Sequence, residues 1–334
     1  MTGRPTMDDV ARAAGVSRAL VSLVMNGSDK VSDRRRDAVV RAARSLGYSP
    51  HMVARALASR TSTVIGVLIS DLHNTYFAEV VDGIEETAQS SGFDIVINSG
   101  GRSAHREQRA VNSLLSFRPA GLVLLSPVVP ARAIAAAVAQ TPVALVGRST
   151  RLATVDTVND HGQRGSTIAV DHLVELGHRR ICHLDGGHGA QATERRQGYL
   201  RAMRLHRLEP QVVSSEFTDF AGADAVHRLL ADTSRPRPTA LVAANDLNAV
   251  GAISALEEAG LRTPDDMSVV GYDNTALAAL RHISLTTIDQ PRADMGRLAA
   301  QALIERLRGE RTTPVRHRLS PSLVIRRTTA PADG

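Results

Sequence analysis

The sequence predicts an α/β protein built from a helix-turn-helix head of three short helices, a hinge helix, and two doubly wound parallel α/β subdomains. Three observations carry this prediction. The formal net charge of +6 lies entirely in residues 1–60, which hold eleven Lys or Arg and five Asp. From Val64 onward, continuous apolar runs alternate with amphipathic stretches, as in parallel sheets covered on both faces. This alternating series occurs twice, which indicates two subdomains.

Composition sets the class of protein. The 334 residues, 43% of them hydrophobic, suffice for about two domains with a sizeable core. No run of about 18 apolar residues is present, and the first residues lack an apolar signal core. We therefore expect a cytoplasmic protein with no membrane contact. The single cysteine, Cys182, allows no internal disulfide and no cysteine-based zinc site, and we expect neither metal nor cofactor.

The head begins with two short helical patterns separated by a turn. Residues 7–14 start with acidic side chains that favour a helix N-terminus, and Gly15 suits a left-handed cap at the other end. Ser17 can cap a second helix over residues 18–25. Two helices joined by a short turn that contains glycine indicate a helix-turn-helix.

A third amphipathic segment, residues 32–46, places Val39, Ala42, Ala43 and Leu46 on one inward face. The three helices together predict one small core. A helical bundle without a nucleic-acid role is the alternative. The concentrated positive charge instead favours a surface that meets a polyanion such as double-stranded DNA.

In a helix-turn-helix the second helix enters the major groove, led by its first residues. Arg18 can donate to guanine O6 and N7, which would read the base. The alternative is a phosphate contact, which positions the protein without reading sequence. The candidate DNA-binding residues of the head are Thr6, Ser17, Arg18, Ala19, Ser22, Leu23 and Asn26.

Residues 49–58 predict a short hinge helix, with Pro50 at its first position. An isolated helix of about ten residues is marginal in water, so we expect this one to form only against DNA and a second copy of itself. Leu57 is a candidate wedge for the minor groove, and Ala54 and Arg55 are further DNA-binding candidates. A plain linker helix is the alternative.

The body predicts two strand–helix series. The first has strands over 64–70, 94–100, 121–127 and 143–148, with helices over 77–92 and 105–117. The second has helices over 163–177, 191–206, 222–232 and 247–260, with strands over 180–186, 212–216, 240–246 and 267–274. Ligands of such sheets bind at the carboxyl ends of the strands, here in a cleft between the two subdomains.

Polar and aromatic residues cluster after these strands. The candidates are Asp71, Asn74, Phe77, Arg148, Arg195, Phe220, Asn245, Asp246 and Asp273. Carboxylates and arginines that can bond neighbouring hydroxyls, with aromatic walls, suit a carbohydrate-like ligand. The open alternatives are that Asp246 only caps a helix, that Phe77 belongs to the core, and that Arg148 is a surface charge.

Two other classes of function compete. Residues 187–192 match the G-x-G-x-x-A pattern of dinucleotide sites, and Glu216 follows as a candidate ribose-binding acid, but at a longer spacing than the usual ~20 residues. A dehydrogenase is therefore disfavoured. An exported transport protein could use the same cleft, but it needs a signal peptide and has no use for the head. His178 and His183 straddle a strand and suggest a structural role rather than metal binding.

Several stretches together resemble the LacI/GalR family of bacterial transcription regulators. They are DVARAAGVS, LGYSPHMVARALAS, IGVLISDLHNTYF, HLVELGHRRI, RRQGYLRAM, VAANDLNAVGAISALEEAG, SVVGYDN and LTTIDQP. The resemblance implies a homodimeric, repressor-type regulator in which each head reads half of a pseudo-palindromic operator and paired hinge helices insert Leu57. It implies a DNA-binding domain over 1–47, a hinge over 48–61, and a periplasmic-binding-protein-like effector-binding and dimerisation domain over 62–334.

The family's effector contacts fall on Asp71, Asn74, Phe77, Arg195, Phe220, Asn245, Asp273 and Gln290. A small effector, most simply a neutral sugar or related polyol rather than a nucleoside or purine, would control operator affinity.

The chain departs from the family at three places. Leu20 and Leu23 stand where relatives commonly carry polar residues of the recognition helix, so the operator sequence cannot be transferred from them. The acidic turn before helix 163–177 reads Asn159-Asp160-His161, with His161 where many relatives carry Asp, and this leaves Asp160 as a further candidate effector contact. The last residues show no leucine heptads, which favours a dimer over a tetramer.

Overall fold

The computed structural model describes residues 5–25, 28, 30–48 and 62–332. The chain divides into two compact units, Met1–Ser62 and Thr63–Gly334. The predictions for Asn26 and for the hinge-helix residues Ala54, Arg55 and Leu57 lie outside the described residues.

The first unit contains the three predicted helices around one small apolar core. They are α1 (Met7–Ala14), α2 (Arg18–Met25) and α3 (Asp33–Leu46). Val10, Val21 and Val39, one from each helix, are fully buried together. Gly15 adopts the predicted left-handed conformation after α1, so the turn between α1 and α2 has the expected form.

The prediction that Leu46 points inward is wrong. Its side chain is 38% exposed, although Ala42 and Ala43 of the same helix are buried. Leu46 is the last residue of α3, and the chain turns at Gly47 in a left-handed conformation. Tyr48 then packs against the head core, so the residue that covers this end of the core follows the helix rather than belonging to it.

The second unit contains two lobes, each a six-stranded sheet covered by helices. Lobe 1 has the strand order β11-β5-β4-β3-β1-β2, and all its pairs are parallel. Its strands are β1 (Val64–Ile69), β2 (Asp94–Ser99), β3 (Gly121–Leu125), β4 (Val143–Val146), β5 (Asp156–Asp160) and β11 (Arg316–Leu319), and its helices are α4 (Thr75–Ser90), α5 (Ala104–Ser116), α6 (Ala131–Val138) and α12 (Arg292–Leu307).

Lobe 2 has the order β12-β10-β9-β8-β6-β7, parallel except for the edge strand β12, which runs antiparallel to β10. Its strands are β6 (Ile181–Leu184), β7 (Gln211–Val213), β8 (Ala240–Val242), β9 (Ser268–Asp273), β10 (Thr286–Asp289) and β12 (Ser322–Val324), and its helices are α7 (Gly162–Glu175), α8 (Ala192–Leu205), α9 (Asp219–Ala231), α10 (Asp246–Glu258) and α11 (Ala276–Ala279).

The chain passes between the lobes three times, after β5, after β10 and after β11. Lobe 1 therefore receives α12 and β11 after most of lobe 2 has been passed in the chain. The sequence prediction of an acidic turn at Asn159-Asp160-His161 is wrong on this point. Asn159 and Asp160 end strand β5, and His161 caps the N-terminus of α7.

The late helix α12 lies deep in lobe 1. Its buried residues Met295, Ala299 and Leu303 join the core formed with β1, β3 and α4. A Cβ atom at Gly83 of α4 would lie 2.1 Å from the carbonyl oxygen of Ala293, so only glycine permits this approach of the two helices. Lobe 1 is thus completed by a helix that follows most of lobe 2 in the chain.

Candidate functional site

Helix α2 of the head exposes one face. Arg18, Ala19 and Leu23 are exposed, whereas Val21 and Val24 are buried against the other helices. The Arg18 side chain is 69% exposed, and its Nε lies 3.9 Å from Oδ1 of Asp8, a distance that leaves the guanidinium available to a partner. The exposed face can therefore meet a groove without disturbing the head core.

Two polar head residues already have local roles. The Thr6 hydroxyl oxygen accepts from the Asp9 backbone N–H, and the Thr6 backbone N–H donates to Oδ2 of Asp9 at 2.9 Å, which forms a capping box at the start of α1. Ser17 Oγ accepts from the backbone N–H of Leu20 at 3.2 Å, as the capping prediction requires. Ser22 is half-buried on the same helix. Thr6 and Ser17 thus shape the head, and any phosphate contact would be additional.

The second unit holds a cavity of about 350 Å³ between its two lobes. Its residues follow the carboxyl ends of strands from both sheets, where ligands of such folds bind. Seven predicted residues line it: Asp71, Asn74, Phe77, Arg195, Asn245, Asp273 and Gln290. The chain segments that the sequence analysis chose for the cleft therefore do converge on one site.

Arg195 is the central cation of this cavity. It is 5% exposed, and its Nη1 donates to the carbonyl of Ala244 at 2.6 Å while Nη2 donates to Oδ1 of Asp273 at 3.2 Å. Its guanidinium lies over the Tyr272 ring, 3.7 Å from the centroid. Burial alone would lower the pKa of Arg195, but the charge of Asp273 raises it, so the group stays charged. Nε is buried and has no hydrogen-bond partner in the described structure.

Asp273 is the matching anion. Its Oδ1 also accepts from Nε2 of Gln290 at 2.5 Å, and its own carbonyl accepts from Arg292. Burial raises the pKa of the Asp273 carboxyl to about 6, although the guanidinium groups of Arg195 and Arg292 act in the opposite direction. Asp273 adopts φ of +117°, a conformation that non-glycine residues rarely hold. Such strain is often stored at functional sites.

Aromatic side chains form walls around these polar groups. Phe77 and Tyr76 of α4 contact each other edge to face, with ring centroids 5.1 Å apart. Phe217 of lobe 2 lies 5.5 Å from the Arg195 guanidinium and also lines the cavity. The site therefore offers apolar surfaces for the faces of a ring and polar groups for its edge.

A cation missed by the sequence analysis lies between the lobes. Arg102 follows β2 in lobe 1, and its Nε lies 3.5 Å from Oδ2 of Asp71. Its Nη1 lies 3.9 Å from Oε2 of Glu216 in lobe 2. Ser70, Ser126, Gln191 and Phe217 also line the cavity and were missed. Ser70 and Ser126 directly follow strands and Gln191 precedes a helix, which was the available signal for these three. Phe217 lies in the connection between β7 and α9 and gave no such signal.

Two predicted effector contacts lie elsewhere. Phe220 is 81% exposed in the first turn of α9 and does not line the cavity, because the chain places Phe217, three residues earlier, in the expected position. Arg148 borders a neighbouring groove instead. Its Nη1 donates to the carbonyls of Pro127 at 2.8 Å and Val129 at 2.5 Å, so its donors serve a loop of the protein.

Two further predicted contacts, Asp246 and Asp160, are buried behind the cavity rather than lining it. Asp246 accepts from the backbone and hydroxyl of Thr275 at 2.7 and 2.9 Å and from the hydroxyl of Thr287 at 2.5 Å. Asp160 accepts from Gln191 Nε2 at 2.9 Å and from the Tyr272 hydroxyl. Both carboxylates are already occupied by protein donors.

The glycine-rich loop 187–192 has a packing explanation. A Cβ atom at Gly189 would lie 2.1 Å from the Phe217 ring, so glycine is needed for this aromatic wall to pack against the loop.

In the part of the chain that the structure describes, no group of three His, Cys, Asp or Glu side chains is placed to hold a metal ion. Within the same ranges, none of the helices combines the length and the apolar character needed to span a bilayer.

Comparison with known proteins gives matches to both units. Residues 6–51 match the model for bacterial regulatory proteins of the lacI family, and residues 170–329 match the model for a periplasmic binding protein-like domain. The chain is 34% identical to the ribose operon repressor of Haemophilus influenzae, over 96% of this chain and 97% of that protein. It is 31% identical to the HTH-type transcriptional repressor PurR of Photobacterium profundum, over 97% of this chain and 98% of that protein.

The structure agrees with these matches. A crystal structure of the lac repressor dimer bound to operator and the anti-inducer ONPF superposes with a TM-score of 0.83 at 31% identity, covering 98% of this chain and all of that one. Both lobes and the head are therefore those of a DNA-binding repressor that an effector controls through its C-terminal domain. The chain belongs to the LacI family of bacterial transcriptional regulators.

Proposed function

We propose that this protein is a homodimeric repressor whose affinity for a pseudo-palindromic operator changes when a neutral sugar occupies the cavity between its lobes. The observation that carries the sugar assignment is the Arg195–Asp273–Gln290 cluster at the carboxyl ends of the lobe 2 strands. It presents donors and an acceptor side by side, which suits neighbouring hydroxyls of a polyol. We assign the cavity a role in ligand binding rather than in catalysis.

The charges around the cavity support a neutral ligand. Among the described residues that line it, the carboxylates are Asp71, Glu216 and Asp273, and the guanidinium groups are Arg102 and Arg195. These charges nearly balance, and they are paired with one another within 3.9 Å. A phosphorylated effector would need cationic groups in excess, so a neutral polyol is favoured.

The size of the cavity and its relatives support the same choice. A volume of about 350 Å³ lies at the lower end of the range for small-ligand sites. The relative from Haemophilus influenzae is named as the repressor of a ribose operon, so D-ribose is the first probe. A nucleoside or purine is the competing class, and its binding would use the aromatic walls more than the Asp273 cluster.

The head supports DNA as the second partner. The exposed face of α2 offers Arg18 to base edges, with Ala19 and Leu23 beside it. The lac repressor structure that this chain resembles holds a dimer on operator, which supports two heads on one DNA site. We propose Ser17, Arg18, Ala19, Ser22 and Leu23 as the DNA-facing residues of the described head.

The test starts with selection of a binding site from a randomised duplex DNA library. We expect a pseudo-palindromic site, and we expect D-ribose to change its affinity by a factor of roughly 5–150, the usual range of coupling between two sites. Fluorescence anisotropy measures DNA binding, and calorimetry measures the sugar. Adenine and adenosine are titrated in parallel as the competing effector class.

Variants distinguish a specific loss of sugar binding from general damage to the protein. Asp273→Asn should weaken sugar binding at least about tenfold, because the anionic acceptor between Arg195 and Gln290 is lost. Glu86→Gln, on an exposed position of α4, is the matched control and should bind as the wild type does. Adenine binding with no response to D-ribose or other sugars would overturn the sugar assignment.

A further inference from the structure

A short loop closes the lobe 1 side of the cavity. Loop 126–130 connects β3 to α6, and its residues Ser126 and Val128 line the cavity. Ser126 adopts φ of +44°, so the backbone is held in a left-handed conformation at the point where the loop leaves the strand. The position of this loop determines where the cavity ends on its lobe 1 side.

Glu107 of α5 holds the amide side of this loop. The residue is fully buried, and its Oε2 accepts from the backbone N–H groups of Val128 at 2.6 Å and Val129 at 3.0 Å. Its Oε1 accepts from the hydroxyl of Ser70 at 2.6 Å. An ionised carboxylate is acceptor-only, so it satisfies all three donors at once. Glu107 thereby joins the end of β1 to the loop after β3.

Arg148 holds the carbonyl side of the same loop. Its Nη1 donates to the carbonyls of Pro127 and Val129 at 2.8 and 2.5 Å. The Glu107 carboxylate therefore holds the N–H groups of loop 126–130, and the Arg148 guanidinium holds the C=O groups of the same loop. We name these two side chains the loop clamp. Such buried polar networks rigidify what they hold when every member is satisfied.

We propose that Glu107 is a positioning residue of the effector site, which sets effector affinity by fixing loop 126–130 against the cavity. The proposal rests on the function proposed above. Glu107 does not line the cavity itself. It acts through Val128 and Ser70, which both line it. It contributes no direct contact with the ligand, and its loss should loosen the cavity wall without removing any ligand contact.

The test compares three substitutions at one position in the full-length protein. Glu107→Leu leaves the N–H groups of Val128 and Val129 buried without acceptors, so D-ribose should bind roughly tenfold more weakly. Glu107→Gln can turn its amide oxygen to both N–H groups and its NH2 to Ser70 Oγ. It should therefore restore affinity to within about threefold of the wild type. Glu107→Asp keeps the charge with a shorter reach and should lie between the two.

Amide hydrogen exchange supplies a readout that needs no ligand. Peptides covering loop 126–130 should exchange faster in Glu107→Leu and at the wild-type rate in Glu107→Gln, whereas Glu86→Gln changes neither exchange nor affinity. If Glu107→Leu does not fold, Glu107→Asp carries the comparison.

Equal affinity and equal exchange across the Glu107 series would overturn the proposal. An equal loss of affinity in the Leu and Gln variants, together with an equal loss of thermal stability, would also overturn it in favour of a general structural role. Adenine binding by the wild type with no response to D-ribose or other sugars defeats the sugar assignment instead, and the exchange rates then decide whether the clamp exists.

Discussion

Two buried carboxylates, Asp246 and Asp273, lie close enough to affect one another. Burial raises the pKa of Asp246 to about 7, and the nearby charge of Asp273 adds to the effect, although the donors Thr275 and Thr287 act against it. An acid whose pKa is higher in the folded state holds a proton that the unfolded chain releases. The folded state therefore loses stability as pH rises from the ordinary value of 3.8 to about 7.

We predict that Asp246→Asn removes the part of this pH dependence that comes from Asp246, whereas the part that comes from Asp273, whose pKa burial also raises, remains. Across that window the free energy of unfolding of the wild type should fall relative to the variant by about 1.4 kcal/mol per pH unit, and the difference should level off above the native pKa. Urea unfolding of both proteins between pH 5 and pH 8 measures it. Burial lowers the pKa of His183 to about 4, which gives a trend of opposite sign, but that trend is common to both proteins and cancels. Parallel curves would contradict the prediction.

Single residues show where sequence reasoning succeeds and where it stops. Asp71, Asn245 and Asp273 were predictable because each follows or ends a buried strand, and the carboxyl ends of parallel strands converge. The choice of Phe220 over Phe217 failed because it depends on where β7 ends and how the connection to α9 runs. The role of Glu107 was not predictable, since nothing local distinguishes a buried glutamate on α5 from an exposed one.

At the scale of elements, α2 is the best-defined functional surface of the head. Its bounds, its capping by Ser17 and its buried face follow from local sequence, because short-range periodicity and caps decide them. The body strands β5, β10, β11 and β12 were not predicted. The pairing of β5 with β11 joins residues more than a hundred positions apart. All four strands are only three to five residues long, so local pattern carries little information about them.

We predict that Arg18 reads a base rather than a phosphate. Arg18→Lys keeps the charge but loses the planar pair of donors, so affinity for the selected operator should fall by about 1–3 kcal/mol, with relaxed preference at one base pair. Arg18→Ala should lose at least as much affinity for the operator. Anisotropy on the selected duplex and on single-base variants measures both effects. A phosphate contact would instead leave Arg18→Lys close to wild type and reduce the salt slope of Arg18→Ala by about one.

At the scale of the whole molecule, charge and chemistry are divided between the two units. The excess of positive charge lies in the first 60 residues, and the cavity lies within Thr63–Gly334. We predict that a fragment of residues 63–334 binds D-ribose within about twofold of the full-length affinity but no longer binds the selected operator. Calorimetry and anisotropy test the two parts.

The full-length protein is the reference for this fragment. The operator affinity of the full-length protein should fall steeply with salt concentration, because phosphate contacts dominate such binding. Retention of operator binding by the fragment would show that the head is not the DNA surface.

The two-lobed architecture itself was predictable from the double strand–helix series, but the three passages of the chain between the lobes were not. They depend on which sheet each late element joins, and that is decided by tertiary packing.

The place of α12 has a consequence for synthesis of the protein. The core of lobe 1 remains open until Met295, Ala299 and Leu303 have been made, although β1 of the same lobe leaves the ribosome more than two hundred residues earlier. Growing chains must therefore hold an unfinished apolar surface while lobe 2 is being translated, a state that invites aggregation or chaperone capture. The described core of the head is built from residues between Met7 and Tyr48, so it can form first, and nascent chains can acquire a DNA-binding surface before they can sense anything.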